Sequence, residues 1–188
     1  MYNGPLLRAL TVSVLCFIVA VATGAIVVLQ DPTVGERLVE MIAQEIGTRI
    51  MNDEAWIVAV KLFINNLQVS LILFVGGATF GVLTCVLLVS NGLLVGGVME
   101  LVRQQQGLAY TAAAILPHGI FEVPAILIAA TLGIHLGELL WRELHGSGDA
   151  AAGALVMGRI FCAVIIPLLA VAAIIEAFIT PEIINLVI

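Results

Sequence analysis

A run of 48 mostly apolar residues decides the fold of this chain: AWIVAVKLFINNLQVSLILFVGGATFGVLTCVLLVSNGLLVGGVMELV, at 55–102. A helix crosses a bilayer with about 20 residues, so this run is too long for one crossing and predicts two. Of the 188 residues, 62% are hydrophobic and 11% are charged, whereas about 25% are charged in a typical soluble domain. The sequence therefore predicts an integral membrane protein surrounded by the lipid bilayer. Its net charge of −6 argues against nucleic acid as a partner.

The run must fold back on itself at a helix-breaking position. The pair Gly76-Gly77 is the natural place, which predicts a second span at 56–75 and a third at 78–102. The pair Asn91-Gly92 is an alternative break point, and it would leave residues 93–102 as a half-helix.

The other hydrophobic blocks predict three further spans, so residues 1–188 form a single membrane domain with about five transmembrane helices. The block at 6–29 is longer than the 7–15 apolar residues of a secretory signal and is predicted to be the first span. A short polar turn at 103–107 precedes the fourth span, 108–140, and the fifth lies at 154–179. No alternating pattern indicates a barrel, so the predicted class is all-α, a polytopic helix bundle.

An amphipathic helix is predicted at 33–54, directly after the first span. Apolar residues recur there at every fourth position, from Val34 through Leu38 to Ile50, with charged residues between them. Such a helix lies in the membrane interface, packs on the bundle or binds a membrane or cell-envelope partner. The predicted location is the cell membrane with several crossings. The N-terminus is placed in the cytoplasm, although lysine and arginine are spread almost evenly over the loops.

Glycine pairs at a spacing of four predict helix faces on which backbones approach closely. These residues are Gly77, Gly81, Gly92, Gly96, Gly133 and Gly137. They serve either packing within one bundle or a homo-oligomeric contact, for which a homodimer is the favoured form.

A second stretch, ILPHGIFEVPAIL at 115–127, places polar groups and helix breakers inside an apolar block. His118 and Glu122 are four residues apart, so they share one face of a helix. Pro117 is incompatible with the preceding helical turn and predicts a broken helix near 116–119. Gly119 permits an unusual dihedral angle there, and Pro124 removes a further backbone donor.

Polar residues within predicted spans need protein partners, because water is scarce in the bilayer centre. The candidates for an intramembrane polar network or an ion path are Asn65, Asn66, Asn91, His118, Glu122 and Glu176. They form either a structural hydrogen-bond network, a path for an ion, proton or small solute, or a metal site. In the last case His118 and Glu122 are ligands and a third comes from Glu176 or Asn66. No other cofactor is expected, and no catalytic motif supports an enzyme.

Several of these motifs together resemble the stage II sporulation protein M family. The matching pieces are FINNL at 63–67, SNGLLVGG at 90–97, LPHGIFEVPAILIA at 116–129, GIHLG at 133–137 and IEAFITP at 175–181. They follow one another in order through spans two to five. The Pro-His-Gly-Ile-Phe-Glu run is specific.

The resemblance implies a membrane protein of about five helices without catalytic activity. In spore-forming bacteria the namesake acts with two partner proteins in engulfment, as the membrane scaffold that recruits peptidoglycan hydrolases. A noncatalytic scaffold is therefore the expected function, and a small ion or solute channel or transporter is the alternative. The family pattern also highlights these residues: Asn65, Asn66, Asn91, Gly92, Pro117, His118, Gly119, Glu122, Pro124 and Glu176.

Overall fold

A computed structural model describes residues 4–42 and 54–187, and helices make up almost all of them. The helices are α1 (Gly4–Gln30), α2 (Pro32–Ile42), α3 (Ala55–Val75), α4 (Val82–Leu144) and α5 (Ala150–Asn185). Within these residues, all but α2 are long and apolar enough to cross a membrane. The predicted all-α membrane bundle is confirmed.

The longest helix, α4, is two helices joined at Gly107. Its 63 residues would be about 95 Å long as one straight helix, far more than a bilayer is thick. Gly107 has φ 84° and ψ 171°, a left-handed conformation that glycine adopts without strain. The halves are named α4a (82–106) and α4b (108–144). The sequence predicts five spans, whereas the described part of the structure has four long apolar helices. The counts differ because α4 is one of the four helices but contains two of the predicted spans.

The halves of α4 run back along each other as an antiparallel hairpin. A Cβ atom at Gly133 would lie 2.7 Å from Thr84 Oγ1. Along the sequence, Gly133 and Thr84 are almost equally far from Gly107, on opposite sides of it. Helix α1 lies along both halves. Its residue Ala20 meets Gly92 of α4a, while its residue Ser13 accepts a hydrogen bond from Thr131 of α4b at 3.4 Å. Helix α1 is therefore parallel to α4a and antiparallel to α4b.

The connection between α3 and α4 is a tight turn at 76–81. A 3₁₀ turn, Gly76–Thr79, leads to Phe80 and Gly81, whose φ angles are 55° and 82°. The Thr84 hydroxyl then donates to the carbonyl of Leu73 across the turn, at 2.8 Å. The chain thus folds back beside the first of the two predicted break points. The alternative break at 91–92 is wrong, because α4a is helical there.

Backbone contacts at glycines fix how these helices pack. A Cβ atom at Gly96 would collide with the carbonyl of Val21 on α1, and one at Gly77 with the carbonyl of Gly133. Gly137 likewise lies against the backbone of Phe80. The glycine faces are therefore occupied within one chain, and the predicted homodimer would need another surface. Gly81 lies in the turn, and its backbone nitrogen also packs against Gly137 of α4b.

The surface is that of a protein in lipid. Five large side chains at the centre are almost completely buried: Leu73, Leu88, Leu132, Ile165 and Leu169. Large apolar side chains are also exposed around the bundle, such as Val19 at 63% and Leu155 at 70%. Lipid would cover this surface at no cost in hydration.

Two predicted helix boundaries change. Helix α2 begins after Asp31, whose carboxylate accepts from the Thr33 amide at 3.1 Å and thereby caps the helix. It is described as far as Ile42, and residues 43–53 of the predicted 33–54 helix lie outside the described residues. The predicted end at Glu54 is wrong, because Glu54 is extended and precedes α3. Helix α5, Ala150–Asn185, contains the predicted fifth span, 154–179, and extends beyond it at both ends.

Candidate functional site

Three ionisable side chains from two helices converge inside the bundle. His118 and Glu122 lie one turn apart on α4b, and Glu176 lies on α5. One ligand atom from each lies within 4.8 Å of the others, and all three residues are partly buried. At 1.5 Å per residue, His118 is about 16 Å and Glu122 about 22 Å along the helix from the turn at Gly107. The cluster is therefore at membrane depth.

Glu176 reaches this position from a π-helical segment, Ile175–Ile179. Pro181 follows two residues later and lacks the backbone amide that a regular helix would use. A second π-helical segment, Phe161–Ile165, precedes Pro167 in the same way. Each π turn inserts an extra residue and so rotates the following face by about 100°. The prolines of α5 thus influence which side chains face α4b.

The cluster contains two acids and no arginine or lysine. The charged neighbours that act on Glu122 are Glu176 and His118. In the described part of the chain, the His118 Nδ1 atom is buried and has no hydrogen-bond partner. Two ionised carboxylates at membrane depth need a compensating positive charge. The cluster therefore fits a bound cation or protons held between its members.

The predicted helix break near 116–119 is wrong. Helix α4b continues through Pro117 and Pro124, because neighbouring helices and local adjustments tolerate proline inside membrane helices. Gly119 has no left-handed dihedral angle, and the nearest atom to a Cβ there is Ile115 Cγ2 at 3.7 Å. The continuous helix is what places His118 and Glu122 on one face.

The predicted asparagines do not join the cluster by hydrogen bonds among the described residues. The Asn65 amide is exposed and donates to the Asn66 side chain at 3.4 Å. Asn91 is partly buried on α4a beside Gly92, which contacts α1. Three of the six predicted polar residues thus converge, and none of the three asparagines has a hydrogen bond to them among the described residues.

A second His–Glu pair lies at the other end of α4b. His135 Nδ1 is 3.6 Å from Glu138 Oε2, and Arg8 Nη2 of α1 is 4.0 Å from the same oxygen. An open cavity of about 360 Å³ borders Arg8 and Glu138, together with the rings of Phe80 and Trp141. The sequence alone does not predict the approach of Arg8 to this pair, because it depends on the antiparallel course of α1 and α4b.

Comparisons with known proteins agree with the motifs. The sequence profile of the family described as SpoIIM: Stage II sporulation protein M matches residues 13–181, nearly the whole chain. An uncharacterized protein of Methanocaldococcus jannaschii is 34% identical over 130 residues, which cover 65% of this chain and 71% of that protein. Neither description names an enzymatic activity. No solved structure matches the chain.

Proposed function

The chain belongs to the stage II sporulation protein M family, and we propose that it is a noncatalytic membrane scaffold that assembles partner proteins at the bilayer. The observation that carries the proposal is a charged helix, α2, held against one end of the bundle. A scaffold needs such a surface in a fixed orientation, because a freely moving segment loses entropy when it binds.

Helix α2 is attached to the bundle through one small residue and one leucine. A Cβ atom at Gly35 would lie 2.8 Å from Val28 Cγ1 and 3.1 Å from Leu101 Cβ. Leu38 Cδ1 lies 3.0 Å from the Cβ position of Gly97 on α4a. The opposite face is charged and exposed: Glu36, Arg37 and Glu40. This arrangement supports docking of a membrane or cell-envelope partner on α2.

The packing below α2 supports a rigid platform. Backbone contacts at Gly24 and Gly96 join α1 to α4a, and the contact between Gly77 and Gly133 joins the α3–α4 turn to α4b. A transporter that exposes its site alternately to two sides must separate helices of this kind. Close backbone packing opposes such movement.

In this proposal the protein crosses the cell membrane five times, with α4a and α4b as separate spans. Arg8 and Arg142 lie at the same end of the bundle, beside one cavity. With these two arginines at that end, the proposal has it, and with it the N-terminus, in the cytoplasm. Helix α2 and its partner then lie on the outer side.

Photo-crosslinking in native membranes tests the scaffold. A photoreactive amino acid replaces Glu36 or Glu40, and a matched control replaces Leu15, an exposed apolar residue of α1. We expect a protein adduct from positions 36 and 40, and lipid adducts from position 15. Lipid adducts alone from all three positions would contradict a docking role for α2.

A path for an ion or small solute is the second candidate, and the convergence of His118, Glu122 and Glu176 favours it. Purified protein in sealed liposomes distinguishes the two. The scaffold predicts no flux of protons, metal ions or small solutes above that of empty liposomes. Flux that is lost in Glu122→Gln and kept in Glu138→Gln would support the path.

A further inference from the structure

We propose that His118, Glu122 and Glu176 together bind one divalent ion of the first transition row, with Zn²⁺ as the probe. The proposal is independent of the scaffold function, since a scaffold can hold its metal for stability alone. It rests on the spacing of three donor atoms, on their charge and on an unsatisfied nitrogen.

The spacing suits a metal ion. Three atoms that are no more than 4.8 Å apart can all lie within about 2.8 Å of one common point. Zinc binds histidine nitrogen and carboxylate oxygen at about 2.0–2.2 Å. Each donor therefore has to move by less than about 1 Å, which small side-chain rotations supply without any shift of the helices.

The charge of the cluster suits a divalent ion. Neutral imidazole and two carboxylates together carry two negative charges, and the charged groups beside Glu122 include the second acid, Glu176, and His118. A single divalent cation would make the site neutral, which removes the cost of holding two ionised acids at membrane depth. A monovalent ion would leave one negative charge.

The unsatisfied nitrogen also points to a ligand. Among the described residues, His118 Nδ1 is buried without a partner, and buried polar atoms in native proteins are nearly always satisfied. Coordination of the metal through Nδ1 would satisfy this nitrogen directly.

The donor types select the kind of metal. One imidazole nitrogen with two carboxylate oxygens suits ions such as Zn²⁺, Mn²⁺ or Fe²⁺, whereas Ca²⁺ and Mg²⁺ prefer oxygen ligands only and Cu⁺ prefers sulfur. Three protein ligands also leave at least one coordination position open. Water or a small anion would fill this position.

Metal titration of purified protein tests the proposal. Tag-free protein in detergent is freed of metal with a chelator, and Zn²⁺ is added while bound zinc and the unfolding temperature are measured. We expect saturation at one ion per chain and a rise in the unfolding temperature. Ca²⁺ and Mg²⁺ at the same concentrations should give neither.

Matched variants locate the site. His118→Asn, Glu122→Gln and Glu176→Gln should each weaken Zn²⁺ binding at least about 10-fold. His135→Asn and Glu138→Gln remove the other His–Glu pair of the same helix and should change the affinity by less than about 2-fold. Loss of binding in the second set but not the first would overturn the proposal, as would an absence of stoichiometric zinc in the wild-type protein.

X-ray absorption at the zinc edge keeps the test decisive if a variant does not fold. The wild-type spectrum should show nitrogen and oxygen ligands at about 2.0–2.2 Å and no sulfur. Sulfur ligands at about 2.3 Å would assign the zinc to the cysteines and overturn the proposal.

Discussion

Two His–Glu pairs lie on helix α4b, and they differ in the group that faces the acid. At the end of the bundle, Glu138 Oε2 lies 3.6 Å from His135 Nδ1 and 4.0 Å from Arg8 Nη2. The pair inside the bundle is His118 and Glu122. It faces a second acid, Glu176, and not an arginine that would balance the charge of Glu122. The end pair thus has an arginine of the same chain near its acid, whereas we propose that a bound ion compensates the inner pair.

Depth explains this difference. Glu138 is about 46 Å along α4b from Gly107, at the level where a bilayer gives way to water. The Arg8 side chain there is 66% exposed, so it reaches solvent while it approaches the acid. An arginine beside the inner pair would have to be buried in the apolar region, which is costly. A metal ion or protons can be taken up after the helices have assembled.

The largest expected effect on stability comes from the part of α4b that lies between the two His–Glu pairs. A Cβ atom in Gly133→Ala would collide with the backbone carbonyl of Leu73, so we expect a loss of about 1–3 kcal/mol in unfolding free energy. Gly119→Ala is the matched control on the same helix, where the added methyl makes only an ordinary van der Waals contact, with Ile115 Cγ2 at 3.7 Å. It should leave stability unchanged or raise it by up to about 1 kcal/mol. Denaturation in detergent compares the two, and equal losses would contradict the packing.

A smaller effect on the unfolding free energy distinguishes Glu122 from Glu138 directly. In metal-free protein, Glu122→Gln removes a charge beside Glu176 and should raise the unfolding free energy by about 1 kcal/mol or leave it unchanged. Glu138→Gln removes the partner of an exposed arginine and should lower it by no more than about 1 kcal/mol. Thermal unfolding with a chelator present measures both. A marked loss only in Glu122→Gln would mean that the inner acid is already compensated within the chain.

Much of the fold could be predicted from hydrophobic length alone. The long apolar run had to divide near Gly76, and the polar stretch 103–107 marked the turn that the structure places at Gly107. The break expected at Pro117 was wrong, because sequence rules for proline come from helices in water. In lipid, the cost of ending a helix exceeds the cost of losing one hydrogen bond.

The candidate site was only partly predictable. Spacing placed His118 and Glu122 on one face, and the rarity of acids in spans indicated Glu176. The face on which Glu176 lies is set by two π turns in α5, one at Phe161–Ile165 and one at Ile175–Ile179 that contains Glu176, and no periodicity rule predicts such turns. The pairing of Arg8 with Glu138 depends on the antiparallel course of α1 and α4b, which requires the whole topology.

The convergence of Glu122 and Glu176 is the central claim, and crosslinking in native membranes measures it most directly. Both residues are replaced by cysteine in a chain without other cysteines, a short bifunctional thiol reagent is added, and the loop between α4 and α5 is then cleaved by a protease. The two fragments should stay joined for the pair 122 and 176 and should separate for the control pair 138 and 176. Separation of the fragments for both pairs would contradict the account.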